Sequence, residues 1–191
     1  MKALIWKAVI LVAILVVAPQ AQAAVINISP TSGDNNVTRW EGLDTSQAAI
    51  NDLLEDLLGA DFFELYKQNV GEGSDTGPLA GSYDTTFDPP VDPSGATITY
   101  VGGDTAGSPV YLLVKDGNQI PAWYLFNLTA IFNWDGIDQL VLSGFWPNQG
   151  AISHVSLYGA SDPSVPEPGT MLLLGSGLVG LAGWGRKKFR K

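Results

Sequence analysis

The sequence predicts a mainly β fold: a single antiparallel β-sandwich, jelly-roll-like, with one amphipathic helix, flanked by an N-terminal signal peptide and a C-terminal transmembrane helix. Three observations carry this reading. Roughly seven to nine short segments rich in aromatic and β-branched residues are separated by Gly- and Pro-rich turns, the pattern of a sandwich or barrel. One stretch alone has a clear helical period. Both ends are apolar and basic, whereas the middle is acidic.

Residues 1–23 read as a secretory signal peptide. Lys2 and Lys7 supply a positive start, residues 8–17 an apolar run, and Ala21-Gln22-Ala23 the small-x-small pattern of a cleavage site. Pro19 breaks the run before it could serve as an uncleaved anchor. Such a leader implies passage through the Sec translocon and cutting by signal peptidase beside Ala21 and Ala23. The exported domain is then expected over 24–160.

That domain opens with a strand candidate at 25–28 and a polar loop at 29–36. The helix follows. Ile50, Leu53, Leu54, Leu57 and Leu58 recur at i, i+3, i+4, i+7 and i+8, one apolar stripe of period 3.6. Asp44 is its expected N-cap, Gln47 the capping-box partner, and Gly59 the residue that ends it. Strands are expected at 62–66, 82–87, 96–101, 110–115, 122–129, 137–146 and 151–158. Gly-rich sequence at 71–81 and a Pro-rich break at 88–95 divide them, and Asp116-Gly117 marks a hairpin. No internal repeat is visible.

The chain has 10 Lys plus Arg against 19 Asp plus Glu. Seven of the bases (Lys2, Lys7, Arg186, Lys187, Lys188, Arg190 and Lys191) and one acid, Glu167, lie in the end segments. Residues 24–164 therefore hold 18 acids and three bases, Arg39, Lys67 and Lys115, a net charge of −15. Such a surface has too few bases to neutralise a phosphate backbone, which argues against nucleic acid as a partner, and it suits a soluble extracellular protein. With no cysteine, disulfides, thiolate catalysis and Cys-based zinc sites are excluded together.

Few residues point to chemistry. His154 is the one histidine, no Gly-x-Ser-x-Gly elbow is present, and a hydrogen-bonded strand histidine is the simpler reading. Carboxylate pairs suitable for glycoside hydrolysis arise by chance among so many acids. Asp84, Asp88 and Asp92 beside one Pro-rich loop, with Asp135 and Asp138 around Gly136, are candidates for Ca2+, although no EF-hand spacing occurs. Otherwise no cofactor is expected. Trp123, Trp134 and Trp146 fall near strand ends. Trp146 with Asn148 and Gln149 would make a glycan platform, a flat apolar face beside amide donors, while the alternative use of tryptophans is to fill the core. An ice-binding face would want a long threonine array, and the chain has only local clusters such as Thr97 and Thr99.

The last 27 residues are ordered in three parts. Val165-Pro166-Glu167-Pro168 is rigid and blocks helix from entering from upstream, after a linker that begins at residue 161. Residues 169–185 are uncharged and form the expected transmembrane helix, about 25 Å long at 1.5 Å per residue. Arg186, Lys187, Lys188, Arg190 and Lys191 make a basic cytoplasmic tail by the positive-inside bias. This arrangement resembles the PEP-CTERM sorting signal of Gram-negative, exopolysaccharide-producing bacteria. The resemblance implies an exosortase as partner and the chain as its substrate. It implies tethering in the inner membrane and then release to the cell surface or extracellular matrix. Residues 111–117, 121–126 and 142–158 also resemble a block recurring in the exported domains of many PEP-CTERM proteins, which implies one compact domain and brings no activity with it.

Three function classes follow, in this order: a non-catalytic cell-surface or matrix protein of an exopolysaccharide biofilm, a lectin-like module binding an extracellular polysaccharide, and a carbohydrate-active enzyme. The first of these is the expectation, so the chain is read as not an enzyme.

Overall fold

A computed structural model of the chain describes residues 23–159, apart from 60, 72, 117, 118, 148 and 149. The expected signal peptide up to residue 22, the transmembrane helix at 169–185 and the basic tail lie outside these residues. Among the described residues no helix is long and apolar enough to cross a membrane.

The elements in chain order are β1 (Val25–Ile28), β2 (Arg39–Gly42), α1 (Gln47–Leu58), β3 (Phe63–Asn69), β4 (Tyr83–Asp88), β5 (Gly95–Tyr100), β6 (Val110–Lys115), β7 (Trp123–Asn127), α2 (Leu128–Phe132), β8 (Gln139–Leu142) and β9 (His154–Gly159). The strands form two sheets, a four-stranded one in the order β1-β8-β5-β4 and a five-stranded one in the order β2-β7-β6-β9-β3. The fold is mainly β, as expected, but it is not wholly antiparallel. β1 pairs with β8 in parallel, Val25 beside Gln139 and Ile28 beside Leu142. The four residues of β1 add to the sheet edge from a distant point in the chain, so no tight turn dictates their direction. Among the described residues, nine strands with one parallel pair depart from the eight antiparallel strands of a jelly roll.

The sheets face each other across one core. Ile28, Ala96, Ile98, Leu140 and Leu142 from the four-stranded sheet meet Leu112, Val114, Phe126, Val155 and Leu157 from the other. A second cluster covers the outer face of the five-stranded sheet, where Ile50 and Leu54 of α1 pack with Tyr111, Leu113, Trp123, Leu125 and Tyr158. The molecule is thus layered sheet, sheet and helix. Burial on both faces explains why β6 reads Val-Tyr-Leu-Leu-Val without a polar alternation.

α1 carries the expected stripe, but its cap differs. Ser46 is the N-cap, its side chain accepting from the Ala49 N–H at 3.4 Å, and Asp44 instead accepts from the Ser46 N–H at 2.8 Å. Asp44 therefore shapes the turn that presents Ser46. Gly59 ends the helix at φ +88°, donating its N–H to Glu55 O. β2 and α2 were not expected. β2 is Arg-Trp-Glu-Gly, too short and too polar to stand out. α2 cuts off the strand expected at 122–129 because Asn127 Oδ1 accepts from the Ala130 N–H at 2.9 Å. Asn133, left-handed at φ +51°, closes this helix after one turn.

Candidate functional site

The loop after β8 returns over the end of the sandwich and carries Phe145 and Trp146 against Tyr124 of β7. Ring centroids lie 5.5 Å apart for Tyr124 and Phe145 and 5.4 Å apart for Tyr124 and Trp146. The Trp146 indole N–H donates to Pro121 O at 2.8 Å, which joins this loop to the β6–β7 connection. Trp146 holds φ at +46°, a left-handed backbone that costs a bulky residue energy and that the surrounding packing must enforce. Beside it lies a cleft of about 390 Å3, walled by Trp146, Tyr124, Pro121, Pro147 and Pro30, with Gln119 and Ile120 at its border. Ile120 is 77% exposed.

Of the expected glycan platform, Trp146 therefore forms a cleft wall and Asn148 and Gln149 lie outside the described residues. At 7% exposure its indole does not lie open as a flat surface; it belongs at once to the core and to the cleft. Trp123 and Trp134 are core residues. The Trp123 N–H donates to Asp44 O at 3.0 Å, and the Trp134 N–H to Asp138 O at 2.8 Å.

The five aspartates do not converge. Asp135 Oδ1 accepts from the Ile137 and Asp138 N–H groups at 3.0 and 3.2 Å, holding the turn into β8. Asp138 Oδ1 accepts from the Ala24 N–H at 2.6 Å. Asp84 and Asp88 point outward from β4, and Asp92 sits at φ +51° in the following turn. Among the described residues no group of three or more His, Asp or Glu side chains is placed to hold a metal ion.

His154 opens β9 and is 8% exposed. Its Nδ1 lies 3.3 Å from Ser153 Oγ, whose own proton goes to Lys115 O at 2.9 Å. Burial, then the charges of Lys67 and Lys115, push its pKa down to about 4. It is neutral at physiological pH and a weak proton acceptor, unlike a catalytic base tuned near 7. The gathering of Lys67, Lys115 and His154 was missed from the sequence, because it depends on which strands lie beside β9.

Ala23 is exposed and directly precedes Ala24, while Ala21, the tetrapeptide Val165-Pro166-Glu167-Pro168 and the basic residues Arg186, Lys187, Lys188, Arg190 and Lys191 lie outside the described residues. No curated protein and no solved structure matches the chain. Residues 164–187 do match the family model of the PEP-CTERM protein-sorting motif; the chain carries that motif at its C-terminus, which implies an exported, membrane-transiting protein with an exosortase as its processing partner.

Proposed function

We propose that this chain is an exosortase substrate whose folded part serves, after processing near Pro166-Glu167-Pro168, as a non-catalytic component of the cell surface or of an exopolysaccharide matrix. The observation that carries this reading is the sorting motif at 164–187. The charge of residues 24–164, 18 acids against three bases, supports it, since such a surface stays soluble and self-repelling outside the cell. The test is expression of the full chain in an exosortase-bearing host. The expected outcome is a shortened product released from the membrane, and retention of the uncut chain when Pro166, Glu167 and Pro168 are all replaced by alanine. Identical products from both chains would overturn the proposal.

A second reading, a lectin-like module for extracellular polysaccharide, is favoured by one observation: the strained Trp146 backbone stands at the wall of an aromatic- and proline-lined cleft. Backbone strain of roughly 1–3 kcal/mol is kept where the surroundings over-determine it, commonly at ligand sites. Replacing the buried Trp146 would disturb the core, so Gln119→Ala and Ile120→Ala at the border are the better probes. Binding of the host polysaccharide that weakens in these variants supports the module; binding unchanged in both removes the cleft from consideration.

A further inference from the structure

The described part of this acidic chain gathers two of its three bases and its one histidine at one place. β9 lies between β3 and β6. Lys115 of β6 stands directly opposite His154, Asn69 of β3 stands opposite it on the other side, and Lys67 stands opposite Ser156. Val155 and Leu157 enter the core between the sheets, so His154 and Ser156 face outward, on the side where Tyr158 meets α1. Opposed Cβ atoms in a sheet are about 5 Å apart and diagonal ones about 7–8 Å, which puts both lysines within reach of the imidazole.

Two features make this cluster unusual. Among the described residues the ion pair within 4.0 Å is Arg39 with Glu41, so neither lysine has a described carboxylate at that range, although acids outnumber bases six to one in residues 24–164. Both lysines are half-buried, and Lys115 is held below its ordinary pKa by burial and by the neighbouring Lys67 charge. The second feature is His154 itself. With Ser153 Oγ donating to Lys115 O, the hydrogen-bond network favours the tautomer with the ring hydrogen on Nδ1, directed at Ser153 Oγ. Nε2 is then a bare lone pair, buried and without a hydrogen-bond partner. An orphaned buried nitrogen between two ammonium groups is costly unless something completes it.

We propose that Lys67, Lys115 and His154 form a binding site for a single oxyanion group, a carboxylate, sulfate or phosphate, and that His154 Nε2 takes up a proton as the anion binds. The ammonium groups supply charge-assisted donors, and protonated Nε2 supplies one more in a sheltered position. Proton uptake follows from linkage: a bound negative charge favours imidazolium, opposing the effect of the two lysines. Among the described residues, the charged groups that act on the site are Lys67, Lys115 and, on the Lys115 side, Asp44; Glu64 and Tyr158 lie further along the same face. Anion binding therefore strengthens as pH falls from neutral. The site is separate from the Trp146 cleft and does not rest on the glycan reading.

The test uses the full chain in a neutral detergent, titrated with sodium sulfate, sodium phosphate, glucuronate and, as a control, glucose. The ring protons of the single histidine are followed by NMR across pH. Saturable binding of anions and none of glucose is expected, with the His154 titration midpoint moving up by about one unit or more at saturation. Lys67→Gln and Lys115→Gln are each expected to weaken binding about tenfold, with the chain still folded by circular dichroism. Glucuronate binding better than phosphate assigns the site to acidic glycan, and the reverse assigns it to free inorganic anions; either supports an oxyanion site. A midpoint that stays at its anion-free value in all three anions, or binding unchanged in both lysine variants, overturns it.

Discussion

Asp138 Oδ1 accepts a hydrogen bond from the Ala24 N–H at 2.6 Å, and Ala24 O in turn accepts from the Gln139 N–H at 2.8 Å. These two bonds fasten the start of β1 to the start of β8 and set the parallel register of the pair. Ala24 is also the residue that follows the expected cleavage site, so cutting after Ala23 would turn this amide into an α-ammonium.

A free amine facing Asp138 adds a charge pair to the hydrogen bond. Asp138→Asn is therefore expected to cost up to about 1 kcal/mol in a chain that begins at Ala24. In a chain with residues still attached upstream the cost should be smaller, because only the amide bond is lost. Denaturant unfolding of both forms, with N-terminal sequencing of the exported protein, checks this. Equal costs in the two forms would mean that the freed amine does not engage Asp138.

A second anchor holds α1. The Tyr158 hydroxyl donates to Glu64 Oε2 at 2.6 Å and accepts from Gln47 Nε2 at 3.3 Å, so strand β9, strand β3 and the first residue of α1 meet at one oxygen. Burial, and then the Glu64 carboxylate beside it, raise the pKa of this phenol far above its ordinary value, which keeps it a donor at any physiological pH. Tyr158→Phe should cost about 1.5–3 kcal/mol, the range for a hydrogen bond to a charged group, without changing the ring packing against Phe62. Thermal unfolding measures it, and a neutral effect would show that water serves Glu64 equally well.

Much of this architecture was legible because it depends on local pattern. The leucine stripe of α1, the Gly59 stop and strand β6 stand out in any window of the sequence. What was hidden depends on distant partners. β2 is a strand only because Arg39–Gly42 lies along β7, and β1 is parallel only because β8 is its neighbour. The site residues divide in the same way. The tail motif is contiguous and could be read directly, whereas the lysine–histidine cluster exists only through the registers of β3, β6 and β9. Trp146 carried two readings in the sequence, platform and core; its neighbours Phe145 and Tyr124 close around it while it also lines the cleft, and that packing depends on distant partners.

Gly42 shows such a distant constraint in one atom. It pairs with Trp123, whose indole lies over the glycine where a Cβ would be. The indole is fixed in turn by its bond to Asp44 O and by its place in the cluster under α1. Gly42→Ala must push the ring aside, at an expected cost of about 1–3 kcal/mol, typical of overpacking. Unfolding with tryptophan fluorescence detection reports both the lost stability and the displaced ring. An alanine tolerated without either change would show that the sheet edge can yield.

His154 makes stability depend on pH in a defined direction. Its folded pKa, about 4, lies below the ordinary 6.5, so between those values the unfolded chain binds more protons than the folded one. Stability is full above about pH 6.5 and falls as pH drops towards 4, by up to about 3 kcal/mol at 1.36 kcal/mol per pKa unit. Carboxylates contribute their own losses at the acid end, so the informative quantity is the difference between the wild type and His154→Gln. The variant should lack the portion of the loss that begins near pH 6.5, so the difference between the two proteins should change between about pH 6.5 and 4 and stay constant outside that interval. Saturating sulfate should flatten the wild-type curve in the same interval while leaving the variant unchanged, because an anion beside Nε2 restores the proton that burial and the two lysines exclude. Parallel curves for the two proteins, with and without sulfate, would show that this histidine is neither shifted nor coupled to anions.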